Sequence, residues 1–242
     1  MAEGTSSDRE TARDAGGRGP GGEEHLRFIR NFHDVFLSIG IGMFGAGLAI
    51  VTVLLLRDVI AATDSTNWRR VAWIVMAAGL VCAGVMWALG EVFARSRRLF
   101  LPAIAILLFF TFFMWWPIVA AYGLIFVDAT SPEKVRTTLD AQREFPVFFN
   151  GMTALVSLLY YVRMRLPFAM GQFGFWVALT LIAGAGFLWP GLTTGADGYW
   201  AQMGAGLVLF AAALGFDARD PRRETRYSDN AFWLHFAAAP LI

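Results

Sequence analysis

Long runs of apolar residues dominate the chain from residue 35 onward. They cover approximately residues 35–56, 71–93, 101–126, 147–162, 166–189 and 199–216, and a last run occupies 231–242. A helix rises about 1.5 Å per residue, so about 20 apolar residues cross the roughly 30 Å hydrocarbon core of a bilayer. The pattern predicts an all-α, polytopic transmembrane helix bundle with about six full spans and the start of a seventh.

Two of these runs have unusual lengths. The third apolar stretch, 99–127, is long for one straight helix and contains Pro117. Proline kinks or ends a helix, so this stretch is either one tilted or kinked span, which we favour, or two half-spans. The last run has only 12 residues, about 18 Å as a helix. We therefore expect either that the chain continues beyond Ile242 or that this segment does not cross the bilayer.

The polar segments divide the chain further. Residues 1–30 are rich in Gly, Ser, Glu and Arg and show no apolar periodicity, which predicts a disordered tail before a transmembrane helical domain at 31–242. Ser131-Pro132-Glu133 is a typical helix start within the polar stretch 128–145. We expect a short amphipathic helix on the membrane surface there.

Arginine determines the expected orientation. If the spans alternate in direction, the tail, 94–98, 163–165 and 218–229 share one side and carry 14 of the 20 basic residues. Positively charged loops remain in the cytoplasm, so the N-terminus is expected to be cytoplasmic. Six of the nine tryptophans lie near the opposite ends of the predicted spans, as in an interfacial aromatic belt; they are Trp68, Trp73, Trp115, Trp116, Trp189 and Trp200.

Two of the arginine-rich turns resemble each other. In 95–103 and in 163–169, arginines are followed by Leu and Pro within a few residues. Arginine anchors a turn among lipid headgroups, and proline is accepted in the first turn of the next helix. These two segments are therefore expected to be tight turns at the cytoplasmic surface.

Composition excludes several classes of protein. The chain is 57% hydrophobic and 16% charged, whereas soluble domains are about 25% charged. A net charge of +1 does not favour nucleic-acid binding, which needs a concentrated basic face. With one cysteine, Cys82, and three histidines, the sequence predicts no intrachain disulfide, no metal site and no cofactor. It contains no phosphate-binding loop, zinc-protease motif or nucleophile elbow, so no catalytic residue is predicted.

Four polar residues within the spans are the weak candidates for function: Glu91, Asn150, Gln172 and His235. An intramembrane carboxylate can act as a proton or cation relay. We favour a salt bridge to Arg95, because Glu91 lies near the end of its span and Arg95 is one helical turn further on. A lone histidine is more often a hydrogen-bonded packing residue than a proton shuttle. Together with Gln202, the four residues are also those that could line a transport path.

Three segments resemble a family of uncharacterised multi-pass bacterial inner-membrane proteins. They are 34–40, 90–102 and 220–242, the last running from Asp-Pro-Arg-Arg-Glu-Thr-Arg-Tyr to the final Pro-Leu-Ile. The resemblance implies a bacterial inner-membrane location and further helices beyond Ile242. It implies no activity, cofactor or catalytic residue.

Three functional hypotheses remain. The favoured one is a non-catalytic scaffold, assembly factor or accessory subunit, because no catalytic constellation is found and the loops are short. The second is a small-molecule or ion permease, and the third is a membrane enzyme that acts on lipid. The expected partners are the lipid bilayer and either another membrane protein or further copies of this chain.

Overall fold

The computed structural model describes residues 20–63, 67–97, 99–126, 144–189, 198–223 and 225–242, and for 20–31 the backbone alone. In these ranges the chain is helical and contains no strand, which confirms the predicted all-α bundle. The α-helices are α1 (Pro20–Ala61), α2 (Trp68–Gly90), α3 (Phe100–Phe126), α4 (Glu144–Met164), α5 (Pro167–Leu188), α6 (Gly198–Asp217) and α7 (Arg226–Ala238). A π-helical turn, Glu91–Ser96, ends α2, and a 3₁₀ turn, Ala239–Leu241, follows α7.

Among the residues that the structure describes, six helices are long and apolar enough to cross a membrane. Their outer surfaces carry large apolar side chains, with Met43 and Val81 each 68% exposed. Such surfaces are stable against lipid and not against water. The protein is therefore an integral, multi-pass membrane protein, as the sequence predicts. Helix α7 has 13 residues, which corresponds to about 20 Å and is shorter than a full span.

The amino-terminal boundary differs from the prediction. We predicted a disordered tail to residue 30, whereas the backbone of α1 is helical from Pro20. Pro20 suits the first turn of a helix. The helix therefore begins before the apolar run. The predicted surface helix within 128–145 falls almost entirely outside the described residues.

Helix α3 is continuous through Pro117, which confirms the single span. Proline has no N–H, so the carbonyl of Phe113 loses its usual helical donor. Gly79 of α2 lies at this point: a Cβ atom there would be 2.6 Å from Pro117 Cδ and 2.9 Å from the Phe113 carbonyl oxygen. The absence of a side chain at Gly79 thus allows α2 to pack closely against α3.

The main core lies between α2, α3 and α4. Its central side chains, Met86, Phe113 and Tyr160, are each 0% exposed. Trp115 is partly exposed and packs against two other helices: its ring centroid is 5.9 Å from Phe149 and 5.8 Å from Trp176.

A smaller core joins α5, α6 and α7. Buried alanines and Leu209 form its centre. Close approaches again depend on glycine, because a Cβ at Gly171 would be 2.8 Å from Trp233 Cβ and one at Gly206 would be 2.9 Å from Leu241 Cβ. The short α7 is thus held in the bundle by packing, with its amino end at the same end of the molecule as the end of α4.

Candidate functional site

Glu91 lies in the π-helical turn at the end of α2 and binds two arginines. Its Oε2 is 3.2 Å from Arg95 Nη1, and its Oε1 is 2.7 Å from Arg163 Nε. The first contact confirms the predicted pair. The second joins α2 to the end of α4, and the sequence pattern did not indicate it. All three side chains are partly exposed, as expected at the edge of a bilayer.

The two arginines border an open groove of about 900 Å³ at this end of the bundle. We call it the arginine groove; the arginines that line it are Arg95, Arg163, Arg165 and Arg226. The α2–α3 turn, the α4–α5 turn and the start of α7 form its walls. The two arginine turns that resemble each other in sequence therefore face the same space.

The arginine groove has an excess of positive charge. Its nearby carboxylates are Glu91, already bound to two arginines, and Asp229 in the lining. Arg165 and Arg226 form no ion pair with any residue that the structure describes. In addition, α3, α5 and α7 all begin at the groove. The positive ends of three helix dipoles therefore add to the attraction for an anion.

Arg165 has an unusual backbone conformation. Its φ is 55°, in the left-handed region where a residue with a Cβ is less stable than glycine by about 1 kcal/mol. Its N–H donates to the Tyr161 carbonyl at 2.7 Å and so closes the end of α4. The turn thus places a cationic side chain in the groove at a position where glycine would be more stable.

The other part of the groove lining is apolar. Trp87, Phe100, Leu159, Val162 and Trp233 contribute to it. Basic and apolar surfaces meet within one groove, which suits a ligand that has an anionic group attached to hydrocarbon.

The remaining candidates lie elsewhere in the bundle. Asn150 Nδ2 donates to the Leu179 carbonyl at 3.3 Å, and Gln172 Nε2 donates to Thr111 Oγ1 at 2.8 Å. Gln202 is exposed on α6. Each of these side chains is therefore separated from the arginine groove, and the structure does not bring the polar candidates together into one site.

His235 has a partner that sequence reasoning missed. Its Nε2 lies 2.9 Å from Asp217 Oδ2, at the end of α6, and its ring packs edge-on against Phe210. The nearest acid in sequence is Asp229, whereas Asp217 is 18 residues away. The contact joins α6 to α7 and is consistent with a hydrogen-bonded packing role.

A second missed contact connects α4 and α7. The Asn230 side chain is 1% exposed, and its Nδ2 donates to the Tyr161 hydroxyl at 2.6 Å. Buried amides in a membrane protein commonly join helices in this way. Asn230 lies one residue beyond Asp229 of the arginine groove, so this bond positions the start of α7 beside the α4–α5 turn.

In the part of the chain that the structure describes, no three His, Cys, Asp or Glu side chains are close enough to hold a metal ion. Comparison with known proteins adds no further assignment: no family model, curated protein or solved structure matches this chain.

Proposed function

We propose that the protein is a non-catalytic accessory or scaffold component of the bacterial inner membrane that binds an anionic phospholipid in the arginine groove. The observation that supports this most directly is the presence of four arginines and an apolar wall in one groove at the end of the bundle. Basic pockets between transmembrane helices at the cytoplasmic surface typically bind anionic headgroups.

The contacts of the other polar residues also support an accessory role. Glu91, Asn150, Gln172 and His235 each bond to a protein group, and they do so in different parts of the bundle. A transport path would need such groups to face a common passage. The accessory role therefore fits these contacts better than the permease hypothesis does.

We expect the purified protein to bind phosphatidylglycerol in preference to phosphatidylcholine. Each arginine near an anionic headgroup contributes about 1 kcal/mol. The double variant Arg165→Ala/Arg226→Ala should thus lose about 2 kcal/mol, a decrease of roughly 30-fold in affinity for phosphatidylglycerol. Native mass spectrometry of the detergent-purified protein, titrated with each lipid, measures the bound fraction.

The matched control is Arg69→Ala/Arg70→Ala, which removes the same charge from the beginning of α2 and should leave retention unchanged. Excess glycerol phosphate should not displace the lipid, because the headgroup alone cannot use the apolar wall. Equal binding of the two lipids by the wild-type protein, or unchanged selectivity in the Arg165/Arg226 variant, would show that the proposal is wrong. Full displacement by glycerol phosphate would instead identify a site for a soluble phosphate.

The proposed orientation places the N-terminus and the arginine groove in the cytoplasm. It is supported by the unequal distribution of arginine between the two sides. In a Cys82→Ala background, an impermeant maleimide should label Thr194→Cys in cells whose outer membrane alone is permeabilised. It should not label Ser96→Cys, which lies in the π-helical turn. The opposite labelling pattern would reverse the topology.

A further inference from the structure

The four arginines of the arginine groove form two pairs with different surroundings. Arg95 and Arg163 share the Glu91 carboxylate, at 3.2 Å and 2.7 Å. Arg165 lies in the turn between α4 and α5, and Arg226 is the first residue of α7. These two form no ion pair with any residue that the structure describes. One pair is thus already held by the protein, and the other is open to an anion.

The pair that Glu91 holds can still bind a second anion. A guanidinium group has five N–H donors, and Glu91 contacts one nitrogen of each arginine, Arg95 Nη1 and Arg163 Nε. The two arginine side chains are 49% and 44% exposed and line the groove. Their remaining N–H groups are therefore available to another oxyanion, while the shared carboxylate keeps the two guanidinium groups close together.

The two pairs are neighbours in the groove. Arg163 and Arg165 are separated by one residue, so their Cα atoms are at most about 7.6 Å apart. Both side chains line the same space. Guanidinium groups bind phosphate oxygens through short, often bidentate, charge-assisted hydrogen bonds. Two phosphates joined by a short bridge can therefore bind together, one at each pair of arginines.

The charge of the groove also matches two phosphates. Among its described residues, four arginines and the carboxylates of Glu91 and Asp229 leave an excess of two positive charges. A lipid with one phosphodiester group carries a single negative charge and leaves half of this excess without a counterion. A lipid with two phosphodiester groups neutralises it.

The apolar side chains of the groove form two groups as well. Trp87, Leu159 and Val162 belong to α2 and α4. Phe100 and Trp233 belong to α3 and α7, and their ring centroids are 6.4 Å apart. Hydrocarbon chains can thus pack on two surfaces of the groove, as a lipid built from two phosphatidyl units requires.

We propose that the preferred ligand of the arginine groove is a lipid with two phosphodiester groups joined by glycerol, as in cardiolipin; this inference rests on the proposed function. One phosphate binds at Arg165 and Arg226, and the other binds at Arg95 and Arg163. The single phosphate of phosphatidylglycerol binds at the first pair, which has no carboxylate partner, and leaves the second pair with Glu91 alone.

The test compares cardiolipin with phosphatidylglycerol that has the same acyl chains. Each lipid is titrated into the full chain in detergent, and native mass spectrometry measures the bound fraction. Cardiolipin should bind about tenfold to 30-fold more tightly, because its second phosphate reaches two further arginines. Bound cardiolipin should also exclude phosphatidylglycerol from the groove. Farnesyl diphosphate, whose two phosphates share one oxygen, should compete less well than cardiolipin. These comparisons need no variant.

Two variants then assign each phosphate to its pair. Arg95→Ala should lower cardiolipin affinity about fivefold and phosphatidylglycerol affinity much less, because it alters only the second pair. Arg165→Ala/Arg226→Ala leaves one pair, so the preference for cardiolipin should fall to about twofold, the statistical advantage of two phosphates on one molecule. The control, Arg69→Ala/Arg70→Ala, should keep the full preference.

Equal affinity for cardiolipin and phosphatidylglycerol would overturn this inference, as would a full preference for cardiolipin in Arg165→Ala/Arg226→Ala. Stronger competition by farnesyl diphosphate than by cardiolipin would also overturn it. In each case, continued preference for phosphatidylglycerol over phosphatidylcholine would leave the proposed function intact. Loss of that preference together with weak cardiolipin binding would overturn both proposals.

Discussion

Replacing Gly79 by leucine is expected to lower the free energy of unfolding by about 3 kcal/mol, the upper part of the usual range for overpacking. A side chain at this position would overlap the ring of Pro117 and the backbone carbonyl of Phe113. The backbone of α3 cannot move away without disturbing the packing of α3 on α4. Unfolding in mixed micelles of mild detergent and dodecyl sulfate measures the change.

Gly84→Leu is the matched control on the same helix. No atom lies within 4 Å of a Cβ at Gly84, and its surface is exposed. Leucine is also a better helix former than glycine by somewhat less than 1 kcal/mol. This variant should therefore be as stable as the wild type or slightly more stable. If both variants unfold at the same detergent composition as the wild type, the result would contradict the close approach of α2 to α3 at Gly79.

Phe113→Ala is expected to have the second largest effect. The Phe113 ring is 0% exposed and lies at the centre of the core formed by α2, α3 and α4. In soluble proteins, the same truncation in a core costs about 3–5 kcal/mol. Separated helices in a membrane remain in an apolar environment, so the Phe113 ring is not transferred from water when the helices pack together. Part of the cost seen in soluble proteins is therefore absent, and we expect the free energy of unfolding to decrease by about 2–3 kcal/mol.

Phe44→Ala serves as its control, because Phe44 on α1 is 50% exposed and loses mainly contacts with lipid. The free energy of unfolding of Phe44→Ala should match that of the wild type within about 0.5 kcal/mol. The same mixed-micelle assay compares the two variants. A larger decrease in the free energy of unfolding for Phe44→Ala than for Phe113→Ala would contradict the position of the core between α2, α3 and α4.

The number and approximate position of the spans could be predicted from the sequence because a membrane helix is largely a local structure. In lipid, nearly all backbone N–H and C=O groups are bonded within their own helix, so a long apolar run predicts a span. The six spans and the continuous α3 were predicted on this basis, and the Glu91–Arg95 pair was predicted from its i,i+4 spacing. The helix ends were less exact, since α1 begins at Pro20, before its apolar run.

The packing partners of residues within a span were not predicted. Trp115 was predicted to lie near the end of its span, but its contacts with Phe149 and Trp176 on other helices were not predicted. All the apolar residues of a span look alike in sequence, because lipid and protein interior have the same polarity. Which face of a helix packs inward is therefore not visible in the apolar pattern.

The sequence alone thus determined the fold class, the membrane location and the clusters of arginine in the turns, because each follows from local composition. Only the tertiary structure decided which groups meet: Glu91 with Arg163, His235 with Asp217, and Gln172 with Thr111. These pairs join different helices, and their formation depends on close helix approaches at residues such as Gly79 and Gly171. Packing of side-chain volumes sets these approaches, and no pattern along one segment of the chain contains that information.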